Sequence, residues 1–130
     1  MERHRKRRRG RASRITIDLD VTDDATHGQQ QLSLFNGHYD SWCYLPLLGF
    51  VTFDDEPEQY LVAALLRPGN APATAGAPGL LRRLISCLRR AFPKARIRVR
   101  LDGGFATYIP HFSRGVWRGF WPLGQRRSVW

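Results

Sequence analysis

The sequence predicts an α/β fold on a mixed sheet, with an antiparallel strand pair, a crossover helix and a last strand parallel to the first. Three observations predict it. Stretches 14–20 and 95–102 alternate apolar and polar residues with period two. Apolar runs at 45–53 and 60–66 are separated only by the acidic, proline-containing turn Asp54-Asp55-Glu56-Pro57. A single amphipathic helix lies between the second run and the last strand.

In order along the chain, residues 1–13 read as a basic arm without structure of its own. Residues 1–14 hold eight Arg and Lys against one Glu2, and no hydrophobic period accompanies them. Of the net charge of +10, that stretch carries +7, so the remaining 116 residues are only mildly basic. A charge balance of this kind favours a polyanionic partner, nucleic acid first. The phosphate contacts it predicts are Arg5, Lys6, Arg7, Arg8, Arg9 and Arg11, which would bind without reading sequence.

In Arg14-Ile15-Thr16-Ile17-Asp18-Leu19-Asp20 the isoleucines and Leu19 share one face, and Thr16, Asp18 and Asp20 the other. Residues 21–28 read as a polar loop, with Asp23 and Asp24 as turn residues and His27 as a hydrogen-bonding loop residue. Gly28 and Gly37 are expected in turns. The runs 45–53 and 60–66 predict an antiparallel pair buried on both faces. Arg67-Pro68-Gly69-Asn70 stops the second run, and residues 71–79 form a small-residue loop.

The helix is predicted over 80–92, where Leu81, Leu84, Ile85, Leu88 and Phe92 form an apolar stripe and Arg82, Arg83, Arg89 and Arg90 face outward. Pro93 ends it. In the last strand Ile97, Val99 and Leu101 oppose Arg96, Arg98, Arg100 and Asp102, and Gly103-Gly104 terminates it. A helix joining two strands favours a crossover and parallel pairing. With the first and last strands adjacent, Asp20 and Asp102 would meet at one carboxyl edge about 4.8 Å apart. That spacing suits a Mg²⁺ ion shared between carboxylates. Arg98 and Arg100 share a face with Asp102, and are read either as phosphate contacts or as partners of acids.

Cys43 and Cys87, without a CxxC motif or Cys/His cluster, read as buried thiols. No apolar run approaches the roughly 18–20 residues of a membrane span, and the basic start has no apolar segment behind it. A soluble, cytoplasmic protein without a membrane partner is expected.

The block Ile17-Asp18-Leu19-Asp20-Val21-Thr22-Asp23-Asp24, followed by Thr26-His27-Gly28-Gln29-Gln30, resembles the first catalytic segment of bacterial insertion-sequence transposases of the DDE group 1 type. Phe35-Asn36-Gly37-His38-Tyr39-Asp40, Cys43-Tyr44-Leu45-Pro46-Leu47-Leu48, Arg67-Pro68-Gly69-Asn70 and Arg100-Leu101-Asp102-Gly103-Gly104-Phe105 continue the resemblance in order over residues 14–107. It implies a partial RNase H-like catalytic domain and metal-dependent DNA cleavage and strand transfer. The first catalytic aspartate would be Asp20, with Asp18 as its rival, and the second Asp102. Both would be ligands for Mg²⁺ or Mn²⁺. DNA transposon ends would be the partner, and oligomerisation with an intact transposase is a further expectation.

The family's third acid is a glutamate further downstream, yet residues 103–130 contain no Asp or Glu. The segment 108–130 carries three of the four tryptophans and no period, and reads as a divergent, out-of-frame tail. The expected protein is thus a truncated transposase that is inactive alone, with apolar surface left exposed and prone to aggregation. Two other readings stand beside it: a small basic DNA-binding protein that modulates an intact transposase, and an unrelated magnesium-dependent phosphohydrolase using Asp18, Asp20 and Asp102.

Overall fold

A computed structural model describes residues 11–28, 30–101, Phe105 and the backbone of 120–122. Eight strands and one helix occur among them: β1 (Arg14–Val21), β2 (Asp24–Ala25), β3 (Leu34–Asn36), β4 (Ser41–Tyr44), β5 (Leu47–Phe53), β6 (Tyr60–Leu65), α1 (Ala77–Ala91), β7 (Arg96–Leu101) and β8 (Phe120–Pro122). The strands form a five-stranded sheet in the order β6-β5-β1-β7-β8 and a three-stranded sheet in the order β2-β4-β3. This is the mixed α/β architecture expected from the sequence and is consistent with a partial RNase H-like fold.

The period-two stretches become the centre of the large sheet. β1 pairs antiparallel with β5, from Ile15↔Phe53 to Val21↔Leu47, and parallel with β7, from Arg14↔Arg96 to Leu19↔Leu101. Ile15, Ile17 and Leu19 therefore align with Ile97, Val99 and Leu101 and with Leu47, Val51 and Phe53 on one face. Helix α1 covers that face with Ala77, Leu81, Leu84 and Leu88, all buried. Each leucine so buried contributes about 1.5–3 kcal/mol.

The helix starts earlier than the stripe alone indicates. Gly76 precedes it at φ 77°, and Pro78 sits in the first turn, where a missing N–H costs nothing. Arg89 and Arg90 occupy the last turn, favourable for the dipole, and the Phe92 N–H closes the end on the Leu88 carbonyl.

Three sequence expectations need correction. The pair β5–β6 is not buried on both faces: in β5 buried residues alternate with half-buried ones, and Leu61 and Leu65 of β6 are exposed. Only one face meets a helix among the described residues, so Leu48, Phe50 and Leu61 lie on the face away from α1. The segment 21–28 is not merely loop: Asp24 lies inside β2, which joins β4 and β3 in the three-stranded sheet. The tail, expected to be irregular, contributes β8, whose backbone pairs parallel with β7 from Val99↔Phe120 to Leu101↔Pro122. The rest of 108–130 lies outside the described residues, as does most of the arm.

Candidate active site at the carboxyl edge

The parallel register of β1 and β7 sets which residues share the carboxyl edge. Asp18 stands opposite Arg100, and Leu19 opposite Leu101, the last pair described. The next residue on β1 is Asp20 and the next in the second chain segment is Asp102. Asp102 itself lies outside the described residues, as do Arg5, Lys6, Arg7, Arg8 and Arg9 of the arm.

The two aspartates of β1 share a face but not an environment. Asp18 is 8% exposed, and Arg100 grips it from both sides, Nε donating to Oδ1 at 2.5 Å and Nη2 to Oδ2 at 2.7 Å. This bidentate pair is the geometry in which a guanidinium fits a carboxylate best. Donating these hydrogen bonds to Asp18 raises the Arg100 pKa, against a smaller opposing effect of burial. Of the two roles left open for Arg100 by the sequence, pairing with an acid is the one present. Arg98, opposite Thr16, is exposed.

Asp20, two residues on, is exposed, and its carboxylate has no hydrogen-bond or ion-pair partner among the described residues. Its carboxylate oxygens are hard donors of the kind a divalent ion such as Mg²⁺ takes. No group of three metal-binding side chains occurs among the described residues. Asp20 thus fits a divalent ion chemically, and needs at least one further carboxylate to hold it.

Removing Arg100 tests how far the Asp18 pair holds the edge together. Arg100→Ala strands a nearly buried carboxylate without its two donors, at an expected cost of about 1–3 kcal/mol. Asp18→Ala in the same chain should recover part of that loss, since the stranded charge goes with it. Urea unfolding of the three variants measures both. A single-variant loss under about 0.5 kcal/mol would place the pair among solvent-screened surface bridges.

Beyond Asp20 the chain passes directly into the small sheet. The Thr22 N–H donates to the Pro46 carbonyl, and the Thr26 N–H to that of Trp42. The Arg67-Pro68-Gly69-Asn70 segment, read from the sequence as a stop and as one block of the resemblance, also ties this sheet to the large one. Arg67 is 4% exposed and meets no carboxylate among the described residues. Its Nε donates to the Leu45 carbonyl at 2.7 Å, and its Nη1 lies 2.9–3.1 Å from the carbonyls of Pro72, Ala73 and Ala75. Burial lowers its pKa. Pro68 bridges to Tyr44, and Asn36 Nδ2 donates to the Gly69 carbonyl at 2.7 Å. Composition gives no warning of this: an arginine beside Pro-Gly usually reads as solvated turn.

The remaining hairpin residues do not join the edge chemistry. The Asn36 side chain caps the β3–β4 turn, accepting from the His38 and Tyr39 N–H groups. His27 is exposed and belongs to no metal-ligating group among the described residues. Cys43 is buried, as expected, but Cys87 is only half-buried, and both are free. No helix among the described residues is long and apolar enough to cross a membrane.

A family model described as transposase DDE domain, group 1, matches residues 1–110. No curated protein and no solved structure matches the chain.

Proposed function

The chain belongs to the transposase DDE domain family, group 1, whose work is DNA transposition, and on that footing we propose that Asp20 and Asp102 are its pair of metal-holding carboxylates. The observation that carries the reading is the parallel register Leu19↔Leu101, one step before both aspartates. Asp18, the rival, is already engaged by Arg100, which also speaks against a phosphohydrolase built on all three acids.

A divalent ion held there would activate an attacking oxygen and stabilise a leaving one in the in-line displacement of a phosphodiester. The chain's own residues would hold and orient it: Asp20 and Asp102 would offer oxygen ligands, and the Asp18–Arg100 pair ties β1 to β7 two residues before each of them. Residues 103–130 contain no Asp or Glu, so these 130 residues supply no third carboxylate downstream of Asp102. The activity expected of them alone is DNA and metal binding without cutting.

Titration with Mn²⁺, followed by calorimetry, tests the pair. Asp20→Asn and Asp102→Asn should each weaken binding by more than the roughly 10–100-fold lost with outer-shell groups, whereas Asp23→Asn should leave it unchanged. Full Mn²⁺ affinity in Asp20→Asn would remove Asp20 from the site. Magnesium-dependent nicking of plasmid by the unmodified chain, abolished in Asp102→Asn, would overturn the expected lack of cutting.

A further inference from the structure

Between Glu58 and Asp102 the chain has no acidic residue and nine basic ones. The fold sorts these cations into different places. Arg67 is buried among carbonyls and Arg100 is spent on Asp18. Arg82, Arg83, Arg89 and Arg90 all lie exposed on the solvent side of α1, opposite the leucines that enter the core.

None of these four has an ion-pair partner among the described residues. Arg89 is steadied by its Nη1 donating to the Ala95 carbonyl at 3.0 Å, and Arg90 by a contact of Nη2 with Cys87 Sγ at 3.6 Å. Both contacts leave the positive charges uncompensated. Four adjacent, unpaired cations repel one another on an otherwise well-packed helix, a cost that an ordinary surface relieves with interspersed acids.

The geometry points to a polyanion laid along the helix, and we propose that this arginine face binds the phosphate backbone of duplex DNA, independently of the amino-terminal arm. Arg82 and Arg89, like Arg83 and Arg90, are seven residues apart. At 1.5 Å per residue each pair spans about 10 Å, close to three base steps of about 3.4 Å. The positive surface continues past the helix end. Lys94 and Arg11 border one open cleft, and the six Arg and Lys of residues 1–10 precede Arg11 in the chain. The acid beside that cleft, Asp54, is occupied by the Ser13 hydroxyl and the Ser13 and Arg14 N–H groups.

An anionic membrane is the weaker partner, because the apolar stripe of α1 is consumed by the core and nothing apolar on it remains to insert. The helix starts at the edge where β6 ends, which is the Asp20 edge, and finishes at the opposite edge where β7 begins. DNA lying along it would therefore reach the Asp20 edge at the helix start and the Arg11–Lys94 cleft at its end. The inference rests on the DNA partner of the proposed function but not on its metal site.

The test is fluorescence anisotropy of a labelled 30-base-pair duplex of arbitrary sequence, without divalent metal, over a range of salt. It uses the full chain and a chain lacking residues 1–10. In both backgrounds the quadruple variant R82Q/R83Q/R89Q/R90Q should reduce the slope of log K against log salt by about 3–4, at roughly 0.9 per phosphate contact. The quadruple Arg→Lys variant should keep the slope, which separates lost charge from a damaged fold. An unchanged slope in the Gln variant of the shortened chain would overturn the proposal. So would equal loss in the Gln and Lys variants, or binding to anionic lipid vesicles as tight as to DNA. Because no metal is present, these outcomes are separate from failure of the Asp20–Asp102 site.

Discussion

Gly69→Ala is expected to release the small sheet from the large one. A Cβ at Gly69 would sit 2.2 Å from the Cys43 carbonyl oxygen and 2.3 Å from that of Leu34. Both neighbours are backbone of paired strands, β4 and β3, so neither can swing aside as a side chain would. Relief requires the 67–70 segment to lift, which also strains the Asn36–Gly69 hydrogen bond and the Arg67 contacts to Leu45 and the 72–75 carbonyls. A loss above about 4 kcal/mol, at the extreme of single substitutions, is expected.

Hydrogen exchange locates that effect. Amides of Ser41–Tyr44 should lose protection while those of β1 and β5 keep theirs, since the large sheet has its own core. Gly37→Ala is the matched control: nothing lies within 4 Å of its Cβ position, and a change inside about 0.5 kcal/mol is expected. Unchanged protection at 41–44 in Gly69→Ala would show that the segment does not anchor the small sheet.

Phe53→Ala should strike the other end of the molecule. Phe53 is fully buried where β5 ends, with its ring 5.3 Å from that of Phe92 and 6.0 Å from that of Tyr60. Those partners come from the end of α1 and the start of β6, so one side chain joins three elements. Truncation leaves a cavity that a backbone pinned by Ile15↔Phe53 pairing cannot close. The expected cost is about 3–5 kcal/mol. At roughly 4–8 °C per kcal/mol for a domain near 100 residues, thermal unfolding by circular dichroism should fall by more than about 10 °C. Phe53→Leu, which refills most of the space, should lose under about 1.5 kcal/mol. Equal losses in the two variants would mean that the site is not close-packed.

Much of the large sheet was legible because its residues obey one rule each. Strict alternation in 14–20 and 96–101, and a 3.6-residue stripe in α1, follow from each element burying a single face. The small sheet was not legible. Strands of two to four residues show too few periods to be told from loop, and contacts with the distant 67–70 segment hold them. Arg67 escaped for the same reason, because its carbonyl cradle is assembled from 45 and 72–75 and is invisible to local pattern.

The aspartates divide along the same line. The sequence by itself determined that Asp18 and Asp20 share a strand face, that a matching strand carries Arg100 and Asp102, and that no acid follows. A period of two depends only on backbone geometry and is readable in one dimension. Only the tertiary structure decided that β1 and β7 are adjacent and parallel, and that Asp18 rather than Asp20 meets Arg100. Register between strands 82 residues apart is set by packing the two apolar rows under one helix, a condition that no local stretch of sequence contains.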